Sequence, residues 1–284
     1  MQRFSCNGCG KCCTFENRLG PDVALEDLPA LFDKVILQGR LSFNLHGDGA
    51  AQGYIADRRI ADSALRTAII DHWRRAEESL GIPVPPNRVG VKAQMVMLPA
   101  LSGRCAMLDA DNRCGAYDVR PYACRMFPFS SWVPAAAATG ALSLQDCPTD
   151  DAQPVLVQDG RVVDSGYQAD WTRLDKINDS RRALNQFVVR HPMFVRHGVS
   201  MIQAARAGAV QSFVNLLMFI DAAVQKGVLA AAAIPAVLSA QADLIDARIA
   251  EAKARKLKSE KTLNAELDLY SAAYRQVLAG LGKA

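Results

Sequence analysis

The chain has 284 residues, half of them hydrophobic, and a formal net charge of +4. A chain of this length and composition can bury a hydrophobic core of its own, so bound metal is not needed merely as a staple. The basic residues are mixed with acidic ones rather than gathered in a stripe, which argues against nucleic-acid binding.

The first predicted elements are short. Residues 1–20 are expected to form a loop wrapped around metal, followed by a short strand at 23–25. Apolar residues at helical spacing, with acids in the first turn, predict a helix over 26–37 that Gly39 ends. Glycine and asparagine residues favour a loop over 42–62.

A longer amphipathic helix is predicted over 62–80, with Asp62 as a suitable N-cap. Gly81 and the prolines that follow it are expected to end this helix. We interpret His46 in the preceding loop as an exposed loop residue and His72 as part of the helix rather than as metal ligands.

Two hairpins are predicted further along the chain. A turn at residues 109–112 is expected to bring Cys105 and Cys114 together. Branched apolar residues flank Asp159-Gly160, and this dipeptide fits a type I′ turn, so a second hairpin is predicted over 155–164.

Helical periodicity is the pattern from residue 171 to residue 281. The longest apolar stretch, residues 213–238, is broken by polar residues, Gly227 and Pro235, so each piece is shorter than a bilayer span. We therefore expect two packed helices there and no membrane span. The opening residues lack the apolar region of a secretory signal, which predicts a cytoplasmic protein.

The eight cysteines all lie in the first half of the chain, and four of them fall within eight residues in a CxxCxxCC run. Cysteine ligates metal as thiolate, and a two-residue spacer lets one turn aim two sulfurs at one centre. A disulfide framework would also suit an even count, but a cytoplasmic location disfavours it. The predicted metal ligands are Cys6, Cys9, Cys12, Cys13, Cys105, Cys114, Cys124 and Cys147.

Two kinds of metal centre fit this spacing. Cys6, Cys9 and Cys12 followed by a distant Cys147-Pro148 match a ferredoxin-type [4Fe–4S] pattern, whereas zinc sites usually combine two CxxC pairs. The remaining four cysteines would then form a second centre. Because neighbouring cysteines seldom share one ion with good geometry, the adjacent Cys12 and Cys13 suggest two centres, or one site with a partner thiol. We favour an iron–sulfur cluster and keep zinc open.

Two arginines, Arg120 and Arg125, lie close in sequence to the later cysteines. Guanidinium groups would balance the negative charge of a thiolate cluster or bind carboxylates within the fold. The alternative prediction is that both bind an anionic cofactor or substrate.

The cysteine array resembles the YkgJ-type CxxCxxCC cysteine-cluster family, described as a zinc- or iron-chelating domain. The matching residues include the opening run, Cys105-x2-Leu108, Cys114-x2-Tyr117-x2-Arg120-Pro121-x2-Cys124-Arg125 and Cys147-Pro148. Flagellin lysine methylases share the motif, so the resemblance implies a protein-modifying activity that uses S-adenosylmethionine and an iron–sulfur cluster. The Phe127-Pro128-Phe129 sequence fits the general family better than that enzyme group.

The expected fold is α+β and rich in helix, with a metal-organised cysteine-cluster domain over 1–150, a helical insertion at about 30–90, a hairpin connection over 151–170 and a helical region over 171–284. The expected functions are a metalloenzyme, either protein-modifying or redox, or a non-catalytic module for partner binding or metal handling. Whether the protein is an enzyme stays open at this point, because no acid–base pair or substrate fingerprint can be read from the chain.

Overall fold

The computed structural model describes residues 2–4, 6, 10–15, 20–44, 52, 55–56, 60–78, 82–84, 87–130, 133, 135–140, 142, 147, 149–194 and 210–282. Within these residues the chain mixes helix and sheet, with long helices near the C-terminus, so the predicted α+β, helix-rich class is confirmed. None of the described helices is long and apolar enough to cross a membrane.

The strands form two sheets. The strands are β1 Gln2–Arg3, β2 Asp22–Val23, β3 Leu37–Asn44, β4 Ile82–Val84, β5 Asn87–Met97, β6 Val155–Gln158, β7 Arg161–Val162 and β8 Val210–Val214. One sheet has the order β1-β6-β7, and the other has the order β2-β5-β3-β8 with β4 also paired to β5.

The two longest described α-helices are the last two of the chain. They are α1 Leu28–Leu31, α2 Ser63–Glu78, α3 Tyr122–Arg125, α4 Ala135–Ala138, α5 Ser165–Trp171, α6 Leu174–Arg190, α7 Leu217–Gln225, α8 Ile234–Ala254 and α9 Lys261–Leu281. Helices α8 and α9 pack against each other, and the main-chain N–H of Leu216 donates to the buried hydroxyl of Tyr274 over 2.9 Å.

The chain forms two compact units, each assembled from three stretches. The first unit comprises Met1–Cys9, Arg40–Gln94 and Pro121–Ser212, and the second comprises Gly10–Gly39, Met95–Arg120 and Phe213–Ala284. The sequential division predicted at residues 150 and 170 stays a prediction.

The hairpin around Asp159-Gly160 is confirmed. Both turn residues have positive φ, 49° and 74°, as a type I′ turn requires, and the flanking strands pair Val157 with Val162. The chain also adds a strand that the pattern did not predict, because β1 pairs with β6 on its other side. This places the first residues of the chain firmly in the first unit.

The predicted helix over 26–37 is much shorter than expected. A 3-10 turn at Leu25–Asp27 leads into α1, and Gly39 lies inside β3 instead of ending a helix. The reason is tertiary, because the side-chain amide of Gln241 binds the carbonyls of Phe32 and Val35 over 2.6 and 2.8 Å. A Cβ at Gly39 would collide with the ring of Phe219, so the strand needs glycine there.

The long helix at Asp62 is confirmed at its N-terminus, where Asp62 Oδ1 accepts from the N–H of Leu65 over 2.7 Å. The loop prediction over 42–62 is wrong at residues 42–44, which extend β3, and at residues 52 and 55–56, which are helical. The predicted His46 lies outside the described residues. The predicted helix pair over 213–238 starts instead in strand β8 and continues into α7 and α8.

Candidate metal centre

Two of the cysteines lie on a tight turn, Lys11–Cys13, at the start of the second unit. Gly10 precedes this turn with φ of 71°, and its carbonyl accepts from the N–H of Cys13 over 3.0 Å. A Cβ at Gly10 would lie 3.3 Å from Cβ of Asn112 and 3.5 Å from Nη2 of Arg104. Glycine therefore supplies both the left-handed backbone and the close approach to the segment that carries the next two cysteines.

Main-chain hydrogen bonds hold the turn against that segment. The N–H of Cys105 donates to the carbonyl of Cys13 over 2.7 Å, and the N–H of Phe15 donates to the carbonyl of Gly103 over 2.8 Å. The residues between these two bonds form an isolated antiparallel bridge. Cysteines more than ninety positions apart in sequence are thus joined through their backbones.

The predicted turn between Cys105 and Cys114 is also confirmed. Cys114 forms an isolated antiparallel bridge with Leu108, and the carboxylate of Asp109 accepts main-chain N–H bonds from Asp111 and Arg113 over 2.9 and 2.8 Å. These bonds fold residues 105–114 back on themselves, so both thiols belong to one small hairpin.

The four thiols of the second unit influence one another electrostatically. The Cys12 and Cys13 sulfurs lie 3.9 Å apart, and the hydrogen bond between them lowers the pKa of Cys12 to about 6, with Arg120 adding a smaller contribution. Burial raises the pKa of Cys105, and the nearby Cys114 and Cys12 raise it further because thiolates repel one another. The lowered pKa of Cys12 favours its thiolate, which is the form of cysteine that ligates metal.

The separation of the adjacent sulfurs fits a single tetrahedral ion. Four thiolates at about 2.3 Å from one zinc ion stand about 3.8 Å apart along each edge of the tetrahedron. The 3.9 Å between Cys12 and Cys13 matches this edge. The sequence-based interpretation that these neighbours serve separate centres stays a prediction.

The set is not closed around an ion. Among the described residues, no group of three or more His, Cys, Asp or Glu side chains stands close enough to hold a metal. The donor chemistry of Cys12, Cys13, Cys105 and Cys114 nevertheless fits a soft divalent ion. Side-chain rotation of the two hairpin cysteines would have to complete the coordination.

Cysteines of the first unit lie on segments joined by Phe4. The N–H of Phe4 donates to the carbonyl of Pro154 over 3.3 Å, and its ring meets that of Phe127 edge to face with 5.7 Å between centroids. Cys6 follows Phe4 by two residues, and Cys124 precedes Phe127 by three. Because so few residues separate Cys6 from Phe4 and Cys124 from Phe127, neither thiol can lie far from the contact between the two rings.

The exposure of these thiols differs. Cys6 is exposed, Cys124 and Cys147 are half-buried, and no described cysteine is in a disulfide. Cys9 lies outside the described residues.

Comparison with known proteins identifies the array. A family model described as "CxxCxxCC: Putative zinc- or iron-chelating domain" matches residues 5–148, slightly more than half of the chain. The chain belongs to the CxxCxxCC family. No curated protein and no solved structure matches the chain. The CxxCxxCC domain therefore connects this protein to zinc or iron binding at the level of the family, and the resemblance read from the sequence is confirmed.

Arg125 of the CxxCxxCC domain is engaged within the first unit. Its Nε lies 3.1 Å from both carboxylate oxygens of Asp170, and the side chains of this pair are largely shielded from water. The hydroxyl of Tyr122 donates to the main-chain carbonyl of Asp170 over 2.8 Å. These bonds fix α3, which carries Cys124, and they match the expectation that an arginine binds a carboxylate within the fold. The prediction that Arg125 binds a cofactor stays untested.

Arg120 of the CxxCxxCC domain lies beside the thiols of the second unit. Its guanidinium carbon stands 3.8 Å above the ring of Tyr117, and its Nε donates to the Tyr117 carbonyl over 3.2 Å. The positive charge contributes to the lowered pKa of Cys12. This agrees with the charge-balancing role expected from the sequence, while cofactor binding by Arg120 stays a prediction.

Three residues that position the site had no distinct signal in the sequence. Asp170 lies on a helix 45 positions from Arg125, and Asn112 contacts Arg104 across the hairpin. Asp109 was recognised only as a turn residue. The sequence signal that could have identified its role is an aspartate at the start of a turn, because such a carboxylate commonly accepts main-chain N–H bonds from the residues that follow it.

Proposed function

We propose that this protein is a cytoplasmic metal-binding protein with two four-cysteine centres, one in each unit. The first centre is Cys12, Cys13, Cys105 and Cys114. The observation that carries it is the 3.9 Å separation of the Cys12 and Cys13 sulfurs, together with the mutual influence of these thiols and the hairpin thiols. The second centre is Cys6, Cys9, Cys124 and Cys147.

The first centre is suited to one zinc or iron ion. An ion held by four thiolates would neutralise charge that otherwise accumulates between Cys12 and Cys105, and Arg120 would balance the excess negative charge of the complex. The cysteines of this chain supply the ligands, and the turn at Gly10 keeps the first two aligned.

We retain the iron–sulfur proposal for the second centre. It keeps the Cys6-x2-Cys9 spacing and the Cys147-Pro148 pair, both typical of cluster ligation. The chain contact through Phe4 supports the grouping with Cys124. Cys12 is left out of this set because it lies in the second unit with its sulfur 3.9 Å from that of Cys13.

Anaerobic purification with metal and sulfide analysis tests the division. Cys13→Ser is expected to remove one metal centre and to leave the other, while Cys124→Ser removes the opposite one. Cobalt substitution should give the strong visible bands of a tetrathiolate in the wild type and in Cys124→Ser, but not in Cys13→Ser. Loss of both centres in each single variant would contradict two independent centres.

A second candidate function is protein modification or redox chemistry with S-adenosylmethionine as cofactor. The resemblance to flagellin lysine methylases and the positive charge of Arg120 beside Cys12 support it. Calorimetric titration with S-adenosylmethionine is expected to show binding that Arg120→Gln weakens. If the metal-loaded protein shows no binding, the non-catalytic role in partner binding or metal handling stands instead.

A further inference from the structure

A cavity of about 330 Å³ lies within the second unit, next to the hairpin that carries Cys105. Its walls come from residues 34–36, from 98–102 with Ala106, and from one face of α8. Cavities of this volume are typical of small-ligand sites. None of the residues that line the cavity is a cysteine, so ligand binding there does not depend on the proposed metal function.

The cavity walls are held by the backbone rather than by loose side chains. The N–H of Leu98 donates to the carbonyl of Ile36 over 2.9 Å, and the buried Gln241 binds the backbone just before the cavity from the preceding turn of α8. The N–H of Ala100 donates to the carbonyl of Arg104 over 2.8 Å, which closes the turn leading to Cys105. A space with walls fixed in this way is preformed for a ligand.

The floor of the cavity is apolar. Leu101 and Leu244 line it and are partly exposed, so a ligand can reach them, whereas Val35 and Leu98 also line it but are almost fully buried. A compact hydrocarbon body would displace water from this floor with a favourable free energy.

The charged residues of the cavity favour an anion. Lys34, Arg248 and Arg255 line it together with a single carboxylate, Glu251. The side chain of Arg248 is only 10% exposed, whereas those of Lys34 and Arg255 reach the solvent. The cavity therefore has one shielded cation and two exposed ones.

The acids that partner two of these cations lie outside the lining. Glu260 receives a hydrogen bond from Nη2 of Arg248 over 2.9 Å, and Asp33 pairs with Lys34 over 2.9 Å. A guanidinium has five N–H donors, so Arg248 can bind Glu260 and the Pro99 carbonyl and still donate to a ligand. Arg255 pairs with Glu251 over 2.9 Å, so within the lining itself three cations stand against one carboxylate.

We propose that this cavity binds a small organic carboxylate with an apolar chain. The carboxylate would lie between Arg248 and Arg255, and the chain would lie on Leu101 and Leu244. Charge-assisted hydrogen bonds to guanidinium groups would supply orientation, and the apolar floor would supply much of the affinity.

Isothermal titration of the full-length protein with octanoate tests the site. We expect saturable binding of one octanoate per chain that weakens as salt is raised. Octanol, which lacks the charge, and inorganic phosphate, which lacks the chain, should each bind at least about tenfold more weakly, as expected for loss of a charged hydrogen bond or of the apolar contact. Equal binding of octanol or of phosphate would overturn the proposal, as would the absence of saturable octanoate binding.

Matched variants locate the binding. Arg255→Gln should weaken octanoate binding roughly threefold, as expected for an exposed charge pair, while Arg275→Gln on α9 should leave it unchanged. Leu244→Trp should abolish binding by filling the cavity, whereas Leu269→Trp, at an exposed position on α9, should not. Circular dichroism checks that each variant is folded. Octanoate binding that is undiminished in Arg255→Gln, or that survives in a folded Leu244→Trp, would contradict this location.

Discussion

The main-chain N–H of Cys105 donates a 2.7 Å hydrogen bond to the carbonyl of Cys13. This bond joins the opening cysteine turn to the hairpin that ends at Cys114, and it keeps the distant thiols in one neighbourhood. The candidate centre therefore rests on hydrogen bonds between main-chain groups. Its thiols and the hydrogen bonds that position them can be tested separately.

Cys12 should be the most reactive described thiol of the metal-free protein. Its pKa is lowered to about 6, chiefly by the hydrogen bond with Cys13, while burial raises the pKa of Cys105. Alkylation by iodoacetamide, followed by peptide mass spectrometry, should label Cys12 with a midpoint near pH 6 and Cys105 only at alkaline pH. Cys13→Ala should move the Cys12 midpoint upward. Equal labelling of both thiols at pH 7 would refute the assignment.

The same shift makes the stability of the metal-free protein depend on pH. Between about pH 6 and pH 9 Cys12 is deprotonated when folded but protonated when unfolded, so the unfolded state binds more protons. The free energy of unfolding should therefore rise with pH across this range and lose the contribution as pH falls through about 6. Urea unfolding of the wild type and of Cys12→Ser across this range measures the difference. Identical pH profiles would show that Cys12 contributes nothing to the pH dependence of the free energy of unfolding.

Gly10→Ala should impair metal binding more than it impairs folding. Gly10 has φ of 71°, and a Cβ added there would face Asn112 at 3.3 Å. Gly227→Ala is the matched control, because Gly227 has φ of 67° in the same unit but an added Cβ would meet no atom within 4 Å. Both variants should lose about 1 kcal/mol of stability from the left-handed backbone. Only Gly10→Ala should weaken zinc binding in a competition titration, and equal zinc affinities would count against the role of this contact.

Gln241→Leu should destabilise the protein by about 3 kcal/mol, because it leaves buried backbone groups without their partner. The Gln241 side chain accepts from the N–H of Leu37 over 2.9 Å and donates to the carbonyls of Phe32 and Val35. Gln276→Leu, at an exposed position of α9, is the control and should change the unfolding midpoint little. A similar unfolding midpoint for the two variants would mean that the hydrogen bonds of Gln241 do not stabilise the fold.

Arg125 and Asp170 should be energetically coupled. A double-mutant cycle with Arg125→Gln and Asp170→Asn is expected to give a coupling energy of roughly 1 kcal/mol in urea unfolding. The cycle with Arg173→Gln, whose more exposed side chain is 3.7 Å from Asp170, should give less. None of these variants should remove metal from the centre of Cys12 and Cys13. Loss of that metal in Arg125→Gln would indicate a direct role for Arg125 there.

Local chemistry decided which parts of the fold could be predicted. The hairpin at Asp159-Gly160 and the cap at Asp62 depend on residues a few positions apart, and both predictions hold. Strand β5 was missed because its second half, residues 93–97, is buried without alternation. Strand β8 was missed because its apolar residues run directly into those of α7.

The candidate site likewise has a part that the local sequence predicted and a part that it did not. Spacing identified all eight cysteines as candidate ligands, but it grouped Cys12 with Cys6 and Cys147. The grouping of Cys12 and Cys13 with Cys105 depends on a hydrogen bond between residues more than ninety positions apart. Sequence spacing carries no information about such a contact, so the proposed division into centres draws on the structure.

The three-part composition of the second unit has a consequence for biosynthesis. Cys12, Cys13, Cys105 and Cys114 are all made before Phe213–Ala284, the stretch that completes their unit. Because a chain leaves the ribosome N-terminus first, the thiols emerge well before the helices that complete the unit. Metal supplied during translation would meet a nascent chain that already holds every cysteine but only part of its scaffold.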